Sequence, residues 1–322
     1  MFGLRGLRRS VRWAAGGLVV AVVAAGCGGG DPDPLRDRQW ALDVMRLPQA
    51  WKDGRGGGMT IAIVDTGVDA HHPDLKDHMV AGYDFVDHDS DPEDENGHGT
   101  HVAGIAAAVT DNGLGIAGGA PQAEIMPIRV LSRAGTGDRE TIAAGIVWAA
   151  RHGANVINLS LGESGLMAHL LRGGVLNPAI NLAVRDGAVV VAAAGNDSTL
   201  KQPYELSTPV LVVNASGRDG RHARFTNFGA AGAVAAPGTD ILSTLPTYRT
   251  PMTEKNTSGY GEDDGTSMAA PYVSALAAML LARGVSARET MAVIRRTARN
   301  PAHDPRLGKG IIDAAAAMRS EQ

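Results

Sequence analysis

The 322-residue chain is 44% hydrophobic and 20% charged, enough apolar material for a large core and too much for bulk disorder. Its formal net charge of −4 leaves no excess of Lys and Arg for gripping phosphates, which argues against a nucleic-acid partner. A single cysteine, Cys27, excludes an intramolecular disulfide, so stability must come from packing and bound ions.

The first 26 residues read as a secretory signal. Arg5, Arg8, Arg9 and Arg12 make a positive start, an apolar run covers 13–25, and Ala24, Ala25 and Gly26 are small. The run is too short to cross a ~30 Å hydrocarbon layer comfortably as a helix. Removing the four leader arginines takes the formal charge from −4 to −8. Ala24-Ala25-Gly26-Cys27 resembles the lipobox of bacterial lipoproteins, which implies cleavage before Cys27 and a lipid on its thiol. An ordinary signal with an incidental cysteine is the other reading. Residues 27–37, with three glycines and an Asp/Pro stretch, then form a flexible tether, and 38–322 form one folded domain.

Beyond the tether, strand and helix patterns alternate. Residues 59–64 (MTIAIV) are a short apolar run closed by Asp-Thr-Gly, which predicts a buried strand. An Ala-rich helix is expected at 102–109, a strand at 124–131, and a helix at 138–152 with Ile142, Ile146 and Ala149 on one face. Further strands are expected at 155–159, 188–193 and 209–214. A long buried helix at 267–282 follows, then one opened by the Ser286-Ala287-Arg288-Glu289 capping box and running to about Thr297. Such alternation predicts an α/β domain with a mostly parallel sheet and helices on both faces.

Four segments carry chemistry. Ile63-Val64-Asp65-Thr66-Gly67 puts a carboxylate at the C-terminal end of a strand, where parallel sheets place functional groups; a turn aspartate is the plain alternative. Asn96-Gly97-His98-Gly99-Thr100-His101 flanks an imidazole with glycines that permit close approach; a helix cap, or a metal site of His98 and His101, would use the same residues. Ala193-Ala194-Gly195-Asn196 runs from a strand into an amide able to donate to a developing oxyanion, or simply into a left-handed turn. Gly265-Thr266-Ser267-Met268-Ala269-Ala270-Pro271 starts a helix with a serine, which is either a cap or a hydroxyl beside free N–H groups.

Jointly, in the order Asp, His, Ser, the four segments resemble the subtilisin-like serine peptidases, the subtilases, and in particular their thermitase-like branch. The resemblance runs over about 33–320 and includes the N-terminal 38–51 segment (RQWALDVMRLPQAW) and the closing Gly308-Lys309-Gly310 turn. It implies the subtilisin-like three-layer fold and a serine endopeptidase: Ser267 as nucleophile, His98 as base, Asp65 behind His98, and Asn196 with the Ser267 N–H as oxyanion hole. It also implies that Ser160-Leu161-Gly162 and residues 131–137 are edges that pair with an extended peptide. Ala193, Ala194 and Gly195 would line the main specificity pocket. The expected partners are protein or peptide substrates, with no nucleic acid, for a monomer anchored to a membrane by its lipid or, alternatively, free outside the cell. No inhibitory prodomain is expected.

Calcium is the implied cofactor, at two sites. One would use Asp74, the Asn112 side chain and the carbonyls of Val109, Leu114 and Ile116, with Asp33 as an extra ligand. The other would use the acidic stretch Asp84, Asp87, Asp89, Asp91 and Glu93, whose carboxylates would repel one another unless solvated or neutralised. Residues 246–265 are longer than the family pattern and polar, either a solvated loop or a lining of the leaving-group side of the cleft. Against the active peptidase stand an inactive binding relative, a narrow processing enzyme, and a metal hydrolase built on His98, His101 and Asp65.

Overall fold

The computed structural model describes residues 32–161, 175–200 and 206–320. The leader, Cys27 and Gly162 lie outside them.

Seven strands form one sheet: β1 (Thr60–Asp65), β2 (Tyr83–Asp84), β3 (Glu124–Arg129), β4 (Val156–Leu159), β5 (Val189–Ala193), β6 (Val210–Ser216) and β7 (Val234–Pro237). Their order is β2-β3-β1-β4-β5-β6-β7, and all neighbours are parallel. The chain turns outward in both directions from β1, so the loops after β1, β3 and β4 meet at the carboxyl edge. That is where an open α/β sheet presents its functional groups.

Both faces are covered, which explains the continuous apolar runs. Ile61 and Ile63 of β1 pack in one core, with Val189 and Val191 of β5 and Leu211 and Val213 of β6. The alternate residues Ala62, Val64, Val190 and Val212 pack in the other. The first core is filled by the helices His98–Ala107, Thr266–Leu281, Ala287–Thr297 and Ala314–Arg319. The second is filled by Arg139–Arg151 and Leu176–Arg185. The helix Thr266–Leu281 is buried along nearly its whole length, and its alanines let it sit close on the sheet.

The expected strands and helices are present with ends shifted by a few residues, the usual fraying of boundaries. Asp138 caps the Arg139–Arg151 helix through the Thr141 N–H, and Ser286 caps Ala287–Thr297 through the Glu289 N–H. Strands β2 and β7, the helix Leu176–Arg185 and the antiparallel pair β8 (Ile241–Thr244) with β9 (Tyr260–Asp263) were not among the expected elements.

The 38–51 segment folds as two short helices, Trp40–Val44 and Leu47–Ala50, and fully buries Leu42, Met45 and Leu47. Residues 33–37 are not tether: Asp33 is buried and Leu35 N–H donates to the Gly115 carbonyl at 2.7 Å. The two ends of the domain are tied together. Arg46 and Arg299 both pair with the buried carboxylate of Asp313, the latter at 2.8 Å, and Ala314 N–H donates to the Met45 carbonyl at 2.9 Å.

Candidate active site

Strand β1 ends on Asp65, which is fully buried. Its Oδ1 lies 2.7 Å from His98 Nδ1 and also accepts the Thr66 N–H at 2.8 Å. His98 opens its helix. The approach depends on Gly99: a Cβ there would fall 2.0 Å from the Gly67 carbonyl oxygen and 3.2 Å from Asp65 Cβ. A carboxylate accepting at Nδ1 keeps the imidazole proton on that nitrogen and leaves Nε2 as the basic face.

Asp94, which the sequence reading passed over, organises the turn before His98. Its carboxylate is fully buried and accepts five bonds: Thr66 Oγ1, the N–H groups of Asn96 and Gly97, and both the N–H and hydroxyl of Thr100, all at 2.7–3.0 Å. Burial raises its pKa above the ordinary carboxylate value, and the donors pull the other way. The available signal was an aspartate directly before a Glu-Asn-Gly turn.

Ser267 is the second residue of the helix Thr266–Leu281 and is fully buried. Its Oγ lies 3.3 Å from the Ser160 carbonyl oxygen at the end of β4. Pro271, four residues on, has no N–H, so the Ser267 carbonyl lacks its usual helical donor. The Ser160 hydroxyl fills that place at 2.9 Å. Ser160 accepts in turn from Asn158 Nδ2 at 2.9 Å, and Asn158 Oδ1 accepts from Ser274 Oγ at 2.8 Å. All four side chains are buried.

Asn196 follows β5 by a short turn. Its Oδ1 accepts from the Thr266 N–H at 3.0 Å and from Thr266 Oγ1 at 2.9 Å. A backbone N–H can only donate, so the amide orientation is forced and Nδ2 is left pointing away as a donor. Ala193 and Ala194 are buried beside it. Asn227 braces this strand end, donating to the Ala194 carbonyl from Nδ2 at 3.0 Å and to the Gly195 carbonyl from its N–H at 2.8 Å. Leu161 follows Ser160 and is buried, while residues 131–137 turn back through a Ser132 N–H to Thr136 carbonyl bond of 2.8 Å.

The structure thus holds a buried carboxylate–imidazole pair at the end of β1 and, separately, a hydroxyl at a helix N-terminus whose neighbour Thr266 fixes an amide donor. Such a set suits nucleophilic acyl transfer. It does not suit a metal centre. His101 Nε2 is bonded to the Gly261 carbonyl at 3.1 Å, and burial, with the His98 charge, pushes the ring's pKa down to about 4. Among the described residues no three His, Cys, Asp or Glu side chains form a metal-holding group.

The residues named for calcium separate into two cases. Asp74 is fully buried, and its oxygens accept from Asn112 Nδ2 and the Ile116 N–H, both at 2.9 Å. Asp33 accepts the N–H groups of Asp111 and Asn112 from the other side. Burial pushes both carboxylates up, and the Asp111 and Asp74 charges push Asp33 further. Among the described residues nothing donates to the carbonyls of Val109, Leu114 or Ile116. Buried carboxylates and carbonyls without donors are the ligand types a hard divalent cation takes, with Asn112 Oδ1 available once its amide turns.

The acidic stretch is different. Arg129, buried at the end of β3, reaches Asp84 at 2.8 Å, Asp87 at 2.7 Å and Glu95 at 2.6 Å. Burial works against the guanidinium charge, but Asp84, Glu95 and Asp87 outweigh it and raise its pKa. Asp89 uses Oδ1 on the Asp91 N–H. The neutralising charge expected from calcium is therefore supplied by an arginine, and Asp84, Asp87, Asp89, Asp91 and Glu93 do not converge as a ligand set.

Comparison with known proteins places the chain in a family. The Peptidase_S8 profile, described as the subtilase family, matches residues 56–310. Thermitase of Thermoactinomyces vulgaris is 44% identical over 269 residues, 83% of this chain and 90% of that one. Subtilisin DY of Bacillus licheniformis is 38% identical over 289 residues, 87% of this chain and 98% of that one. A solved protease structure from Pseudoalteromonas arctica superposes with a TM-score of 0.80 at 34% identity, covering 91% of this chain and 99% of its own. The chain belongs to the subtilase family and is a serine-type endopeptidase with the subtilisin-like three-layer fold.

Proposed function

We propose that this endopeptidase works through Asp65, His98 and Ser267, with Asn196 as a side-chain oxyanion donor. The observation that carries the reading is the buried 2.7 Å bond between Asp65 and His98 Nδ1 at the end of β1. His98 Nε2 takes the Ser267 proton as Oγ attacks the peptide carbonyl. Asn196 Nδ2 and the Ser267 N–H bind the oxygen as it becomes charged. His98 then protonates the leaving amine, and a water activated by the same nitrogen releases the acyl group from Ser267. Asp65 holds the ring and stabilises its charged form throughout. Extended peptides would pair with the 131–137 edge and with Ser160, Leu161 and Gly162. The small Ala193, Ala194 and Gly195 leave room for a bulky side chain.

A fluorophosphonate probe should label the wild-type protein at Ser267. Ser267→Ala should abolish labelling and most turnover without unfolding the chain, and His98→Ala should do nearly as much damage alone, because the residues act as a unit. Wild-type turnover in Ser267→Ala would overturn the assignment. Unlabelled wild type would favour an inactive binding relative.

The sequence also supports export by residues 1–26 and anchoring through a lipidated Cys27, with 27–32 as tether. No helix among the described residues is long and apolar enough to cross a membrane. Intact mass of the mature protein and fractionation of Cys27→Ser decide this reading: a mature N-terminus upstream of Cys27, or no lipid mass, rejects it. Calcium is proposed at Asp74, Asn112, Val109, Leu114 and Ile116, with Asp33, where it would neutralise buried carboxylates. The acidic loop is left to Arg129.

A further inference from the structure

The segment that is longer than the family pattern is not a free surface loop. Between β8 and β9 it crosses the turn that precedes His98 and grips it at three points. Tyr248 Oη donates to the Asp94 carbonyl at 3.1 Å. Met252 N–H donates to the Asn96 carbonyl at 3.1 Å. The Met252 side chain lies on Gly97, where a Cβ would fall 2.7 Å from Met252 Cβ and 3.1 Å from Thr250 Oγ1. Gly97 has φ +116, so it is both conformationally and sterically a glycine position, and it is the residue directly before His98.

The segment is rigid enough to act as a brace. Thr253 and Thr250 are buried, Thr253 Oγ1 donates to the Tyr248 carbonyl at 2.8 Å, and Thr250 N–H donates to Thr253 Oγ1 at 2.7 Å. Its start is pinned by Thr247, whose N–H and hydroxyl donate to buried Asp69 Oδ2 at 2.9 and 2.8 Å. Burial, with the charges of Asp94, Asp69 and Glu93, raises the Tyr248 pKa well above that of a free phenol, so the hydroxyl remains a donor. Asp94 fixes the 94–100 turn from inside, and the strap fixes it from outside.

We propose that this strap is a positioning device for His98, and that Tyr248 and Met252 are positioning residues for the peptidase reaction. The inference rests on the triad reading above. A turn held on one side only would let the imidazole wander, and misplacing a catalytic group by ~1 Å can cost on the order of 10²-fold in rate.

The test compares wild type, Tyr248→Phe and the Tyr248→Phe/Met252→Ala double variant. Arg249→Ala is the control, because Arg249 is an exposed residue of the same strap that pairs with the exposed Glu254 at 3.4 Å. The double variant should lose about tenfold in kcat and in the rate of fluorophosphonate labelling at Ser267, with KM within about twofold, and Tyr248→Phe should lose part of that. The low-field proton resonance of the His98 Nδ1–H bond to Asp65 should broaden or shift in both, and neither readout should move in Arg249→Ala. Unchanged kcat, labelling rate and resonance in a folded Tyr248→Phe protein overturn the proposal, even where the double variant fails to fold. So does a loss that only tracks the unfolded fraction. Wild type that does not label at Ser267 overturns the triad reading itself, and the strap's role with it.

Discussion

The hydroxyl of Ser160 donates to the carbonyl of Ser267 at 2.9 Å, in the place left empty by the missing N–H of Pro271. The nucleophile helix is thus fastened to β4 by the bond it could not make within itself.

Ser160→Ala should therefore leave two buried polar groups without a partner, the Ser267 carbonyl and Asn158 Nδ2. The expected cost is about 1–3 kcal/mol, together with a fall in turnover. Pro271→Ala restores a helical N–H and should recover part of the loss in the Ser160→Ala background while doing little alone. Denaturant unfolding of the four corners of this cycle, each carrying Ser267→Ala to stop self-digestion, measures the coupling. Additive effects would dissociate Pro271 from Ser160.

Asn196 and Thr266 should separate donation from orientation. Asn196→Ala removes the proposed oxyanion donor and should cost about 10²–10³ in kcat, a magnitude established on a subtilisin, with KM little changed. Thr266→Val keeps the donor but removes the hydroxyl bond to Asn196 Oδ1, and should cost about tenfold or less. Steady-state kinetics on a peptide amide substrate distinguish them.

His101 should make the fold acid-sensitive. Its pKa falls from 6.5 to about 4 on folding because burial disfavours the charged ring. The unfolded chain therefore takes up a proton that the folded one refuses. No stability is lost on this account above about pH 6.5, and the loss grows as pH falls from 6.5 toward 4, reaching on the order of 3 kcal/mol. In the Ser267→Ala background, His101→Gln should flatten the melting temperature between pH 6.5 and 4.5. The same slope in both proteins would assign the acid sensitivity elsewhere.

Calcium should act through Asp33 and Asp74. Their carboxylates are raised in the folded state, so charging them as pH rises through and above the ordinary carboxylate value costs stability. A bound divalent cation removes that cost. The calcium-dependent rise in melting temperature should thus be large at pH 8, small at pH 4.5, and lost in Asp74→Asn. Asp87→Asn should leave it intact. Melting curves with calcium and with excess chelator check both.

The parts of the fold legible in sequence were those whose side chains repeat a simple pattern. β1, β5 and β6 are buried on both faces, so apart from Thr60, Asp65, Asn214 and Ser216 their residues are apolar and the runs stand out. β9, reading Tyr-Gly-Glu-Asp, has no such pattern; it pairs with β8, and the Gly261 carbonyl within it meets His101. The chemical groups of the site were visible because their local segments are distinctive. What positions them was not: Thr266 turns an amide 70 residues away, and Arg129 neutralises Asp84 from 45 residues away. Bonds of that range leave no periodicity to read.

The clasp of Arg46 and Arg299 on Asp313 also sets a time order. The first helices of the domain cannot complete their charge pairing or the Met45–Ala314 bond until the last helix has emerged from the ribosome. Before that, Asp313 is absent, and Met45 and Leu47 lack part of the core that buries them. A chain still being made thus carries Asp65, His98 and Ser267 in sequence before it can hold them in a finished domain. The finished domain therefore awaits its last helix, a constraint set by chain topology alone.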